Sequence, residues 1–302
     1  SQGSPNPTPE GSFLHCRNPC SSLRTTGGKT VFRFKLPRKV TLGREMPENG
    51  FLKSSWEDEY PISFYEMDMK NQAFLPVLWS LMQETAWHHA DHLQLGYSNL
   101  MEQEYFWVLS RLSIRMEEYP RWGDRIRVKT WLAGIGRLFA LRQFSIADWS
   151  GRMLGTARSA WLVLDLKSRK PQKIEPLFKH LHHLFDPLLP AEEPEKLPAP
   201  VRPQRKKSYE VRYSDIDLHR HVNNIKYIEW ILDSYPFEIN RTYQIHTFEI
   251  NYLAESSYED AISIQTETLQ DSPPFFLHGV FREGEGKELC RARAGWKRVN
   301  PL

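Results

Sequence analysis

From Trp56 onward the apolar positions follow two periods, and the periods alternate in the same order twice. Tyr60-Pro-Ile-Ser-Phe-Tyr-Glu-Met-Asp68 reads as a strand. Leu75, Leu78, Trp79, Met82 and Ala86 then recur with the three-and-four spacing of a helix that buries one face. Four strand-like runs follow, Trp107 to Met116, Arg125 to Leu132, Leu138 to Ala147 and Ala157 to Leu166. Gly134, Gly136, Trp149-Ser-Gly151 and Lys167-Ser-Arg-Lys-Pro171 punctuate them as turns. The order returns with a strand from Ser208 to Asp217 and a helical stripe of Ile225, Ile228, Ile231, Leu232 and Tyr235. Strands at Tyr243 to Leu253, Ala261 to Leu269, Phe275 to Arg282 and Glu288 to Lys297 complete it.

Matched anchors make this a duplication. Asp68 and Asp217 occupy the same strand-to-helix junction, and Trp122-Gly-Asp-Arg-Ile-Arg-Val-Lys-Thr130 corresponds to Tyr258-Glu-Asp-Ala-Ile-Ser-Ile-Gln-Thr266. Each half is α+β, and the natural packing wraps a curved antiparallel sheet around a long central helix. The two sheets are expected to join side by side. Asp186-Pro-Leu-Leu-Pro-Ala-Glu-Glu-Pro-Glu-Lys-Leu-Pro-Ala-Pro200 reads as a semi-rigid linker. The expected boundaries are a flexible tail at 1–52, a first domain at 53–178, the linker at 179–206 and a second domain at 207–302.

Composition narrows the classes. The net charge of +3 is too small to imply nucleic acid and leaves room for an acidic partner protein. No run of about eighteen apolar residues is present, so no membrane span is expected. Cys16, Cys20 and Cys290 form neither a disulfide framework nor a metal-site spacing. Arg17, Arg24, Lys29, Arg33, Lys35, Arg38 and Lys39 make the leader basic and acid-poor, which suits an organelle transit peptide, a flexible tail or an expression remnant equally.

Candidate chemistry concentrates in Tyr213-Ser-Asp-Ile-Asp-Leu-His-Arg-His-Val-Asn-Asn-Ile-Lys-Tyr-Ile-Glu-Trp230. Carboxylates, imidazoles and amides packed at a strand-to-helix junction can polarise a carbonyl and activate a water. The first half has lost most of them. Lys70 and Gln72 stand opposite His219 and His221, and Tyr119 and Pro120 opposite Glu255 and Ser256. One half is expected to do chemistry and the other to read the substrate.

Over roughly residues 56 to 300 the chain resembles an acyl-ACP thioesterase, the fatty-acid-releasing family with two tandem hot-dog domains. The segments that carry the likeness are Tyr213-Ser-Asp-Ile-Asp with His221-Val-Asn-Asn-Ile-Lys-Tyr-Ile-Glu-Trp230, Tyr119-Pro-Arg-Trp-Gly-Asp124, and Trp161-Leu-Val-Leu-Asp-Leu-Lys-Ser-Arg-Lys-Pro171. The resemblance implies a catalytic second domain in which Asp217, His221 and Glu255 match the family's Asp, His and Glu. His219 stands where the family usually has Asn, and Ser256 where the plant enzymes have Cys. A papain-like cysteine mechanism is therefore not open to it. The resemblance further implies an acyl-carrier-protein partner, with no cofactor or metal ion. It fits a bacterial-type cytoplasm or, alternatively, a plastid stroma, and is compatible with a homodimer.

On this reading Glu255, paired with His221, activates the water, and a backbone N–H near Val222, Asn223 or Asn224 holds the oxyanion with help from the helix dipole. Asp217 either orients His219, which would donate to the carbonyl in place of the family's Asn, caps or holds the loop, or is itself base or nucleophile; Ser256 supports the loop. Met69, Trp79, Met82, Trp87 and Trp107 are candidates to line an acyl pocket in the first domain, and would serve equally as core. Glu84, His88 and His92 have helical metal spacing but read better as a polar helix end. His180, His182 and His183 are expected to face solvent, and Arg202, Arg205, Lys206 and Lys207 to be solvated charge or a carrier contact. The competing functions are an acyl-CoA thioesterase and a non-catalytic acyl-binding protein. A hot-dog dehydratase is disfavoured by His-Val-Asn-Asn.

Overall fold

The computed structural model describes residues 52–184 and 192–299. The expected tail lies, up to residue 51, outside the described residues, as do 185–191 of the linker. The first half comprises β1 (Ser55–Pro61), α1 (Leu75–His92), the short α2 (Tyr97–Glu102), β2 (Tyr105–Met116), β3 (Arg125–Ile135), β4 (Ala140–Asp148) and β5 (Met153–Asp165). After the short α3 (Glu175–Phe178) the second half adds β6 (Arg205–Glu210), α4 (Asn224–Asp233), the short α5 (Phe237–Thr242), β7 (Tyr243–Tyr252), β8 (Ala261–Asp271), β9 (Pro274–Arg282) and β10 (Lys287–Arg298). These are two hot-dog-like domains, each with a helix against a curved antiparallel sheet.

The first strand of each half is shorter and earlier than the alternation suggests. β1 ends at Pro61 and β6 at Glu210, and single 3-10 turns follow at Phe64–Glu66 and Tyr213–Asp215. Isolated bridges, Met67 to Ala73 and Ile216 to Val222, follow these turns, whose aromatic residues Phe64, Tyr65 and Tyr213 are exposed, so their sequence pattern resembles a strand without the alternating burial of one.

All ten strands form one sheet in the order β1-β3-β4-β5-β2-β7-β10-β9-β8-β6. Read from the centre, each half repeats the other. At the seam, antiparallel β2 and β7 put Ser113 directly opposite Glu249. These are equivalent positions of the duplication, since Asp124 and Asp260 are separated by the same interval, so a pseudo-two-fold axis passes through that pair.

One apolar core spans both halves. Leu78, Trp79 and Met82 of α1 pack with Ile126, Val128, Phe144 and Ile146, while Ile228 and Ile231 of α4 pack with Phe248, Ile250, Ile264 and Val280. Each such side chain contributes about 1.5–3 kcal/mol on burial. The helices are clasped by polar groups as well: Trp79 Nε1 donates to Asn224 Oδ1 and Asn224 Nδ2 to Gln83 Oε1, both at 2.9 Å. The second half of the linker is bound to the sheet face away from the helices. Leu197 is buried there, its N–H donates to Asn251 Oδ1 at 2.7 Å, and Arg291 donates to its carbonyl at 3.0 Å.

Candidate active site

The loop between β6 and α4 is organised by Asp217. Its Oδ1 accepts the N–H of His219 at 2.8 Å and that of His221 at 3.3 Å, and its own N–H donates to His221 O at 2.9 Å. Asp68 does the same in the first half, accepting from Lys70 at 2.8 Å and Gln72 at 3.0 Å and donating to Gln72 O at 2.8 Å. The correspondence continues bond by bond. Ala73 and Val222 donate to Pro120 O and Ser256 O, and Phe74 and Asn223 to Glu66 O and Asp215 O. Asn71 and Arg220 both sit at positive φ, 56° and 65°. The backbone loop survives in both copies, and only the side chains differ.

In the first copy the substituted side chains tie the halves together. Lys70 Nζ pairs with Asp68 at 3.2 Å and donates to the carbonyls of Asn240 and Tyr243 at 2.6 and 3.0 Å. Gln72 donates to Gln244 Oε1 at 2.9 Å, and Tyr119 OH to Ile245 O at 3.0 Å. Burial pushes the Tyr119 phenol well above its ordinary range, so it stays neutral.

In the second copy two predicted residues meet: His221 Nε2 lies 3.4 Å from Glu255 Oε2. Arg282 Nη2 donates to Glu255 O at 2.8 Å and its Nε to Asp260 at 2.9 Å, fixing the loop that carries Glu255. A third partner was not foreseen. Arg169 Nη2, from the first half, donates to Glu255 Oε2 at 2.6 Å. Ser256 is fully buried beneath this group, and its carbonyl takes the Val222 N–H. His219 does not join it. It is exposed, and its ring lies against Tyr97 of α2 at 5.5 Å between centroids. Asp217 therefore meets His219 through the main chain, not the imidazole.

The expected oxyanion donors are narrowed. Val222 N–H and Asn223 N–H are already spent on Ser256 O and Asp215 O, the latter at 2.8 Å. Asn223 Oδ1 caps α4 by accepting the Ile225 N–H at 3.0 Å. Asn224 N–H, at the positive end of α4, makes no hydrogen bond among the described residues. Cys290 is no alternative nucleophile. It is fully buried in β10, and burial pushes its thiol far up.

The acyl-pocket candidates do not share one cavity. Trp79 and Met82 are sealed in the core, Trp87 is partly exposed, and Trp107 packs on Phe178 in a separate cluster with its Nε1 on Leu95 O at 2.9 Å. Met69 alone lines a cavity of about 580 Å³, which lies beside Asp68, Lys70, Leu232 and Trp296, on the worn copy's side. Hydrophobicity and spacing cannot separate wall from core here. Of Glu84, His88 and His92 the first two meet, with His88 Nε2 3.4 Å from Glu84 and its Nδ1 2.7 Å from Asp58, while His92 instead accepts the Lys53 N–H at 2.9 Å. Among the described residues no three potential metal ligands converge. His183 faces solvent, and exposed His180 has Nε2 3.4 Å from Leu93 O; of the basic run, Arg205 turns onto the Phe276 ring at 5.4 Å while Lys206 pairs with Glu283 at 3.1 Å.

A doubled hot-dog sheet whose polar loop is kept in one copy defines a tandem hot-dog protein of the thioesterase class. Residues 53–180 match the acyl-ACP thioesterase N-terminal domain and residues 199–298 the acyl-ACP thioesterase C-terminal domain. The chain belongs to the acyl-ACP thioesterase family. It is similar to an acyl-ACP thioesterase from Bacteroides thetaiotaomicron, with 31% identity, 81% of this chain and 98% of that one covered, and a TM-score of 0.72. It is also 25% identical to the chloroplastic oleoyl-acyl carrier protein thioesterase of Coriandrum sativum, covering 87% of this chain and 81% of that protein. The fold is shared with the 12:0-ACP thioesterase of Umbellularia californica, at 22% identity, 83% and 96% coverage and a TM-score of 0.74. Among the described residues no helix is long and apolar enough to cross a membrane.

Proposed function

We propose that this protein hydrolyses acyl-ACP thioesters and releases free fatty acids, with the chemistry in the second domain. The observation that carries the reading is the His221–Glu255 pair at 3.4 Å on a loop whose worn copy offers only Gln72 and Tyr119. Glu255 takes a proton from a water as its oxygen adds to the thioester carbonyl carbon. The oxyanion rests on the Asn224 N–H and the α4 dipole. Its collapse breaks the C–S bond, and the departing thiolate takes its proton through His221. Free acid and carrier thiol result. Asp217 holds the loop that presents His221, and the first domain faces the acyl chain. The partner is the acyl carrier protein, in a bacterial-type cytoplasm or a plastid stroma.

Incubation with a ladder of acyl-ACPs and the matched acyl-CoAs tests this reading. Released fatty acid with kcat/KM at least about tenfold higher on the carrier-bound series is expected. Equal or higher values on acyl-CoA would move the assignment to that carrier, and no release from either would leave an acyl-binding protein.

A further inference from the structure

The turn after β5, Lys167-Ser-Arg-Lys-Pro171, reaches the site from the first half. Asp165 shapes it: Oδ1 accepts the Ser168 N–H at 2.7 Å, its carbonyl accepts the Arg169 N–H at 2.9 Å, and its N–H donates to Lys170 O at 3.1 Å. Arg169 is thereby held at φ 58°, a left-handed conformation that residues with a Cβ adopt uncommonly. From there its guanidinium lies over the Phe106 ring at 4.9 Å and donates to Glu255 Oε2 at 2.6 Å.

An exposed ion pair by itself does little, and this one is a little over two-fifths exposed on each side, 43% and 44%. What sets it apart is convergence. The guanidinium has an aromatic face beneath it, and the carboxylate it meets also has His221 at 3.4 Å and a main chain fixed by Arg282. Arg169 and His221 both address Oε2, which leaves Oε1 to take the proton of the attacking water.

We infer that Arg169 is a positioning residue for Glu255, by which the first domain sets the orientation of the base in the second. The inference rests on the hydrolytic reading above. Steady-state kinetics of the full chain on its fastest acyl-ACP, for Arg169→Ala, Arg169→Lys, Glu255→Gln and Arg169→Ala/Glu255→Gln, test it. Arg169→Ala should lower kcat by about tenfold or more with KM within about twofold, and Arg169→Lys should recover part of the loss. In the Glu255→Gln background the added loss should shrink to about twofold or less, because a positioning effect has no base left to act on. Three outcomes overturn the inference: unchanged kcat in Arg169→Ala, a rise in KM alone, or the same loss in both backgrounds. Normal turnover in Glu255→Gln by itself would instead remove the hydrolytic site from Glu255, which separates the two failures.

Discussion

At the scale of residues, the pair of aspartates separates architecture from chemistry. Asp68 and Asp217 make the same three hydrogen bonds, and the copy around Asp68 keeps none of the imidazoles. An acceptor that keeps the same three bonds in both copies has a structural duty to the loop. Asp217→Ala should therefore cost about 1–2 kcal/mol, as loss of a capping acceptor does, and lower turnover with it. Asp217→Asn retains an Oδ1 and should restore both. Chemical denaturation and turnover of the two variants check this; stability restored without turnover would make Asp217 the base or nucleophile. The motif and its asymmetry were legible in the sequence because both are local. That Val222 and Asn223 N–H are occupied was not, because Ser256 and Asp215 reach them only through the fold. Arg169 and Glu255, 86 positions apart, were equally invisible as partners.

At the scale of elements, polar groups hidden inside the halves decide more than the apolar stripes suggest. Asn224 bridges α4 to α1 through Trp79 and Gln83. Asn224→Leu would leave the indole N–H buried without a partner and should cost about 1–3 kcal/mol, with a change in tryptophan emission. An unchanged denaturation midpoint would contradict the clasp. His89 and His278 add a pH dependence. Arg142 can only donate, so His89 Nδ1, 3.0 Å away, accepts, and Nε2–H donates to Lys53 O at 3.0 Å; His89 is held neutral. Burial, aided by Arg142 for His89 and Arg205 for His278, lowers both from 6.5 to about 3. Between those values the unfolded chain binds the protons the native chain refuses. Stability from these groups is thus complete above about pH 6.5 and falls on acidification toward about pH 3, by up to about 1.4 kcal/mol per pH unit for each histidine. Denaturant titrations from pH 7 to 4 should show the decline, and a flat profile would contradict it. Helix and strand periods predicted most elements, but they overran β1 and β6, where the exposed aromatic residues of a 3-10 turn imitate a strand's sequence pattern.

At the scale of the molecule, the duplication fuses two hot-dog units into one sheet, and equivalent positions Ser113 and Glu249 face each other at the seam. The sequence order implied this plan, and the side-by-side join was expected. What it did not show is how far the halves depend on each other. Lys70, Gln72 and Tyr119 of the worn copy bond to the second half, and Arg169 returns the exchange at the kept copy. The acyl-pocket candidates scatter for a related reason: in a fused core, one apolar face packs on several neighbours at once.

The proposed reaction assigns catalysis to one copy of a shared loop. Acyl-ACP turnover by His221→Ala and Glu255→Gln, set beside Gln72→Ala and Tyr119→Phe, tests it most directly. The first pair should lose about 10²- to 10⁴-fold in kcat, as removal of a general base does, while the second pair stays within about threefold. Near-normal turnover in the first pair, or equal losses in both, would contradict that assignment.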